Sequence, residues 1–179
     1  MAADDAVVAA TRRWLERAVI GLNLCPFAKA VLVKQQVHFA VSAGDDPLED
    51  FARELEQLVA LAPAERDTTL LAIPHGMEDF LSFDALTARA ERIVRKKGLE
   101  GVIQVASFHP RFVFADTEDD DITNYTNRAP YPTLHLLRED SIARAVAAFP
   151  DAAAIYEANM ETMRRLGRTG WDALDVGTP

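Results

Sequence analysis

The spacing of hydrophobic positions changes several times along the chain, and each change marks an element. Val7, Val8, Thr11, Trp14, Leu15, Ala18, Val19 and Leu22 recur every three to four residues, with Arg12, Arg13, Glu16 and Arg17 between them. That period belongs to one face of an amphipathic helix, expected from about Asp5 to Leu22 with Trp14 as its core anchor. β-Branched and aromatic residues from Val31 to Val41 predict a strand. Asp46-Pro47 then reads as an N-cap followed by a first-turn proline, opening a helix with Phe51, Leu55, Leu58 and Val59 inward and Pro63 at its end. Thr68 to Ile73 is short and apolar enough for a buried strand. A third helix, capped by Asp79 or Ser82, carries Phe83, Leu86, Ala90, Ile93 and Val94 on one face and has Gly98 past its end. Val102 to Phe108, Phe112 to Phe114 and Thr133 to Arg138 are the later strand candidates. Two helices close the chain, one with Ile142, Ala145, Val146 and Phe149 inward, the other from Asp151 to about Leu166 with Ala153, Tyr156, Met160 and Met163 at helical spacing. Past Gly167 the sequence is polar and glycine-containing apart from Trp171, and a fraying tail is expected there.

Strands alternating with helices imply crossover connections and therefore parallel pairing. The late strands are close enough in sequence to add antiparallel pairs. The expected class is α/β, with α+β as its neighbour: one sheet, partly parallel with antiparallel strands added, helices packed on it and a helical C-terminus. No internal repeat or interior linker appears, so residues 1–179 are expected to form a single domain with an ordered core over about 5–166.

Charge removes one class of partner. The chain carries 19 basic and 28 acidic residues, a formal net charge of -9, whereas a nucleic-acid domain shows a basic stripe. Its one local basic cluster, Arg92, Arg95, Lys96 and Lys97, falls late in the third helix, where cations complement the backbone dipole. A single cysteine excludes an internal disulfide. The acidic N-terminus is unlike a secretory signal, and no apolar run reaches membrane-spanning length, so a cytoplasmic location without membrane association is expected. Nothing in the sequence sets an oligomeric state.

Candidate chemistry concentrates between Gln104 and Glu139. Two of the four histidines, His109 and His135, lie here. If both sit at one end of the sheet, a carboxylate from Glu139 or from Asp119, Asp120 or Asp121 would complete a two-histidine, one-carboxylate set suited to iron, zinc or manganese, with Asp121 the preferred aspartate. Against this, no HExxH or other ligand spacing is present, and a histidine in a Phe-His-Pro turn commonly satisfies a backbone group. The carboxylates from Glu118 to Asp121 have a solvated loop as their plainer explanation. Asn124, Asn127, Arg128, Tyr131 and Arg138 offer amides, a hydroxyl and planar guanidinium donors for an anionic substrate. Equally, such residues hold loops together through backbone contacts. Away from this segment, Cys25 precedes Pro26 and so would sit at the start of a helical turn, where backbone dipoles lower a thiol pKa. The alternative is a small buried apolar residue.

The stretches LNLCPF (22–27), QVASFHP (104–110) and NYTNRAPYPTLHLLRE (124–139) resemble a bacterial family, domain of unknown function 1415, and the resemblance runs from about Trp14 to Leu166. It implies no reaction, cofactor or catalytic residue. The residues themselves point first to a small-molecule enzyme whose pocket joins the Cys25 turn to His109, Asn124–Arg128, His135 and Glu139. A divalent metal on His109, His135 and Asp121 is the preferred mechanism, hydrolytic or oxidative, with Arg128 anchoring substrate. A metal-free form uses Cys25 as nucleophile and a histidine as base. The alternatives are a non-catalytic module for a nucleotide or other anionic metabolite, and a protein-interaction domain.

Overall fold

The computed structural model describes residues 2–148 and 152–177. Phe149, Asp151 and the side chain of Ala153, assigned above to the closing helices, lie outside the described residues. In chain order the elements are α1 (Ala2–Trp14), continuing as a π-helical turn (Leu15–Ile20), α2 (Ala28–Val33), β1 (Val37–Val41), α3 (Pro47–Ala60), β2 (Thr68–Ala72), α4 (Phe80–Lys96), β3 (Ile103–Phe108), a 3-10 segment (Ile122–Asn127), β4 (Thr133–Arg138), α5 (Glu139–Ala147) and α6 (Ala152–Asp172). The strands form one mixed sheet in the order β1-β2-β4-β3. β1 and β2 are parallel, with α3 as the crossover, while β4 runs antiparallel to both β2 and β3. This is the α/β arrangement expected, with a helical C-terminus.

Pleating assigns alternate residues to opposite faces. Leu71, Leu134, Leu136 and Ile103 turn to the face covered by α3 and α4, where Phe51, Leu55, Leu58, Phe83, Leu86 and Ala90 complete a closely filled core. On this side Arg66 is also buried and binds Glu54, Gln57 and Thr69 through its guanidinium. The helix starts are as anticipated: Asp46 accepts from the Leu48 amide before Pro47, and Asp79 accepts from the Ser82 amide. Gly98 takes φ +70, the left-handed region that glycine enters without Cβ strain, just past α4.

The opposite row, Phe39-Leu70-His135-Ala106, faces α1, α2 and α5. Trp14 anchors α1 there, fully buried and edge-on to Phe108 at 4.9 Å between ring centroids. Four expectations need correcting. Val59, expected inward, is exposed, because it lies one position past Leu58 and turns off the Phe51-Leu55-Leu58 stripe of α3. The strand does not begin at Val31: Val31–Val33 belong to α2, and a turn with Gln35 at φ +58 precedes Val37. The segment 112–114 forms no strand, because its backbone follows the loop that Asn124 and Arg128 hold in place. The tail does not fray at Gly167. The chain turns there at φ +64 and stays helical to Asp172, since Trp171 and Val176 find buried sites and Trp171 stacks edge-on against Tyr125 at 5.2 Å. No helix among the described residues is long and apolar enough to cross a membrane.

Candidate functional site

Between the second face of the sheet and α1, α2 and α5 lies a cavity of about 690 Å³. Its size is that of a small-molecule site, which spans roughly 300–1,000 Å³. The opening follows from the helices available to cover the sheet. α2 has only six residues and buries only Ala28. α5 is amphipathic, as its spacing predicted, but buries no side chain fully; its Ile142 and Ala145 line the cavity. Leu70, Ala106, Phe108, Leu137, Val31 and Trp14 provide most of the remaining wall.

Cys25 and His135 line this same cavity. His135 is the third residue of β4, opposite Leu70 and Ala106. Its Nε2 lies 2.6 Å from the Thr68 hydroxyl, whose own proton goes to the Leu136 carbonyl at 2.7 Å. The imidazole therefore donates from Nε2 and keeps Nδ1 as its acceptor, with no hydrogen bond to Nδ1 among the described residues. Burial disfavours its cationic form and lowers its pKa from the ordinary 6.5 to about 4. The ring is neutral at pH 7.

The Cys25 turn is held from several directions. Asn23 adopts φ +54, the Leu24 amide donates to Val19 O at 2.8 Å, and Asn159 of α6 donates to Leu24 O at 2.9 Å. The sequence expectation for the thiol was a lowered pKa. Burial instead pushes it up, and the amides of Phe27 and Ala28 directed at the sulfur offset only part of that. Cys25 is thus a neutral, partly buried thiol.

His109 is elsewhere. It follows β3 on the α4 side of the sheet, fully buried beside Phe80 and Phe83. Its Nε2 donates to Met77 O at 2.9 Å, and its Nδ1 accepts from the Arg111 amide at 2.9 Å. Both nitrogens are occupied, and burial lowers the pKa. Asp121 caps the 3-10 segment, and the Thr123 amide and hydroxyl hold its carboxyl below the ordinary range. Glu139 starts α5, which ends the strand alternation that would have placed it beside His135. The anticipated convergence of His109, His135 and a carboxylate does not occur. Among the described residues no three His, Cys, Asp or Glu side chains gather to hold a metal.

The proposed anion loop is internally satisfied as well. Asn124 is fully buried, accepts from the Phe114 amide and donates to Glu118 O. Asn127 donates to Ser107 O, and Arg128 donates to the carbonyls of Phe112 and Asp119 while stacking on Tyr125 at 4.1 Å. Tyr131 contributes its carbonyl to the Thr133 hydroxyl. Arg138 lines the polar end of the cavity and donates to the carbonyls of Leu58, Leu61 and Arg66. A smaller cleft of about 380 Å³ lies between Arg128, Arg168, Trp171 and the acidic Asp172 and Asp175.

The profile described as a protein of unknown function (DUF1415) matches residues 6–173, nearly the whole chain. The chain belongs to that family. No curated protein and no solved structure matches it. Of the stretches that carry the resemblance, LNLCPF forms the turn over the DUF1415 cavity and TLHLL forms β4 along its floor. Sequence reasoning missed Lys34, Asp67, Thr68, Ser141 and Arg144, which also line it. These come from three separate places in the chain, the turn after α2, the start of β2 and α5, and no single segment's pattern joins them. The one available signal was α5, whose apolar stripe of Ile142 and Ala145 is too weak for a core helix.

Proposed function

We propose that the protein binds a small, largely apolar molecule in the cavity between the sheet and α1, α2 and α5. The observation that carries this reading is that Cys25 and His135, far apart in sequence, line one largely apolar space of about 690 Å³. Both groups are neutral at rest, so the cavity offers an acceptor nitrogen and a thiol in a poorly solvated setting. Binding is supported more strongly than the anionic site on Asn124, Asn127 and Arg128, because those side chains are engaged in holding their own loop.

The test is a fragment screen on isotope-labelled protein, read by amide shifts. Ligands are expected to move Thr68, Ala106 and His135 saturably, and Ala145→Trp, which fills the cavity, is expected to abolish those shifts. Binding unaffected by Ala145→Trp in a folded variant would overturn the reading.

A catalytic use of the same cavity is the second reading, with Cys25 as nucleophile and His135 as base. Their common cavity favours it. The obstacle is proton transfer: a thiol raised above its ordinary pKa must pass its proton to a ring near 4, so the ligand must itself stabilise the charged pair. Turnover lost in Cys25→Ser with ligand affinity retained would establish this role; turnover retained would exclude it. A metal-assisted version has only His135 among the two candidate histidines with a ring nitrogen available, and metal content of untagged protein with and without His135→Ala tests it.

A further inference from the structure

The cavity is polar at one end only, and strand register shows how the ends are separated. Phe108 pairs with Thr133 at one end of the β3-β4 ladder, and Ile103 pairs with Arg138 at the other. Five residues at roughly 3.3 Å each put these rows about 17 Å apart. Trp14 stacks on Phe108 at the first end, which is apolar. At the second end the Asp67 amide donates to Gln36 O at 2.9 Å, drawing the end of β1 and its preceding turn toward Arg138 and α5.

Four charged side chains line the cavity: Lys34, Asp67, Arg138 and Arg144. Asp67 is the sole anion, and its Oδ1 already accepts from Ser141 Oγ at 2.6 Å and lies 3.9 Å from Arg138 Nε. Arg138 Nε is buried and makes no hydrogen bond. Arg144 donates to Ser141 Oγ at 3.0 Å, and among the described residues neither it nor Lys34 enters an ion pair. A chain of net charge -9 thus sets three basic residues against one acidic residue in the lining of this apolar space. Lys34 and Arg144 are exposed and so act at the rim of the cavity, where its low-dielectric walls focus their attraction for an acidic group.

We infer that the cavity is built for an amphiphilic monoanion, its single acidic group between Lys34 and Arg144 and its apolar body extending past Leu70 and His135 toward Trp14. The inference rests on the binding function proposed above and names its ligand class. The Asp67 carboxylate disfavours a second negative charge, and the wall beyond Leu137, whose polar groups are confined to Thr68, His135 and Cys25, disfavours a highly hydroxylated body.

Decanoate and 1-decanol, both below their aggregation concentrations, separate the charge requirement from simple apolar filling. Decanoate is expected to shift Thr68, Ala106 and His135 saturably and to bind at least about tenfold more tightly than the alcohol, the gain of a charge-assisted hydrogen bond. Lys34→Ala/Arg144→Ala alters two exposed side chains and is expected to bring decanoate down to the affinity of the alcohol while the remaining spectrum stays folded. Equal affinity of the two compounds, or a preference for decanoate that survives the double substitution, would overturn the charged-head inference and leave cavity binding intact. Failure of both compounds to shift cavity residues would overturn both.

Discussion

The two faces of the sheet are made of similar residues but differ in what covers them. α3 and α4 are 14 and 17 residues long and insert Phe51, Leu55, Leu58, Phe83 and Leu86 between Leu71, Leu134 and Leu136. α2 and α5 have six and nine residues and insert only Ala28 fully. The same strands therefore support a filled core on one side and a cavity on the other. Each face received one of the two central histidines, and the difference in cover decides what each does. His109 has both ring nitrogens bound by the backbone, whereas His135 retains one.

The largest expected contrast is in packing. Phe83→Ala should cost about 3–5 kcal/mol of unfolding free energy, as expected for a large buried side chain whose surroundings cannot collapse. Leu137→Ala, facing an existing cavity, should cost about 1 kcal/mol. Denaturant midpoints measure both, and equal losses would mean that the two faces are equally filled. His109→Ala should cost about 3 kcal/mol or more, because it leaves the Met77 carbonyl and Arg111 amide unpaired in the interior. His135→Ala should cost about 1 kcal/mol, since the Thr68 hydroxyl keeps its bond to Leu136 O and can be reached from the cavity.

Acid sensitivity sharpens the same comparison. His135 binds its proton near 6.5 when unfolded and near 4 when folded, so the unfolded state holds more protons between those values. Stability contributed by the neutral ring is complete above about 6.5, falls as pH drops toward 4 and then levels off; the loss is at most about 3 kcal/mol. His135→Gln should flatten that limb of the stability curve, and an unchanged limb would show that the imidazole is not desolvated. The smallest effect belongs to Cys25. Cys25→Ser should change stability by less than about 1 kcal/mol. Its alkylation by iodoacetamide should be slower than that of a free thiol at pH 7, accelerate above the ordinary thiol range and slow further when the cavity is occupied.

Legibility followed the range of the interactions. The caps at Asp46 and Asp79, the stripe of α4 and the Phe51-Leu55-Leu58 stripe of α3 depend on residues within a turn or two of one another, and these agreed with the structure, whereas Val59 is exposed and α5 buries no side chain fully. Val31–Val33 misled because Val31 and Val33 continue a short helix that begins at Ala28 after the Phe27 N-cap and is stopped by a turn at Gln35. Trp171 misled because its partner Tyr125 is distant in the chain.

The sequence alone determined the α/β class, most element positions and the membership of the DUF1415 family. Those depend on local periodicity, turn chemistry and residue identity. Only the tertiary structure decided that His109 and His135 face opposite sides of the sheet, that Asn124 and Arg128 hold their own loop, and that Lys34, Asp67, Arg138 and Arg144 line one cavity. A single-residue step along a strand reverses the face a side chain occupies, and a cavity is set by the lengths of the helices that fail to cover it. Neither is written in the spacing of any one segment.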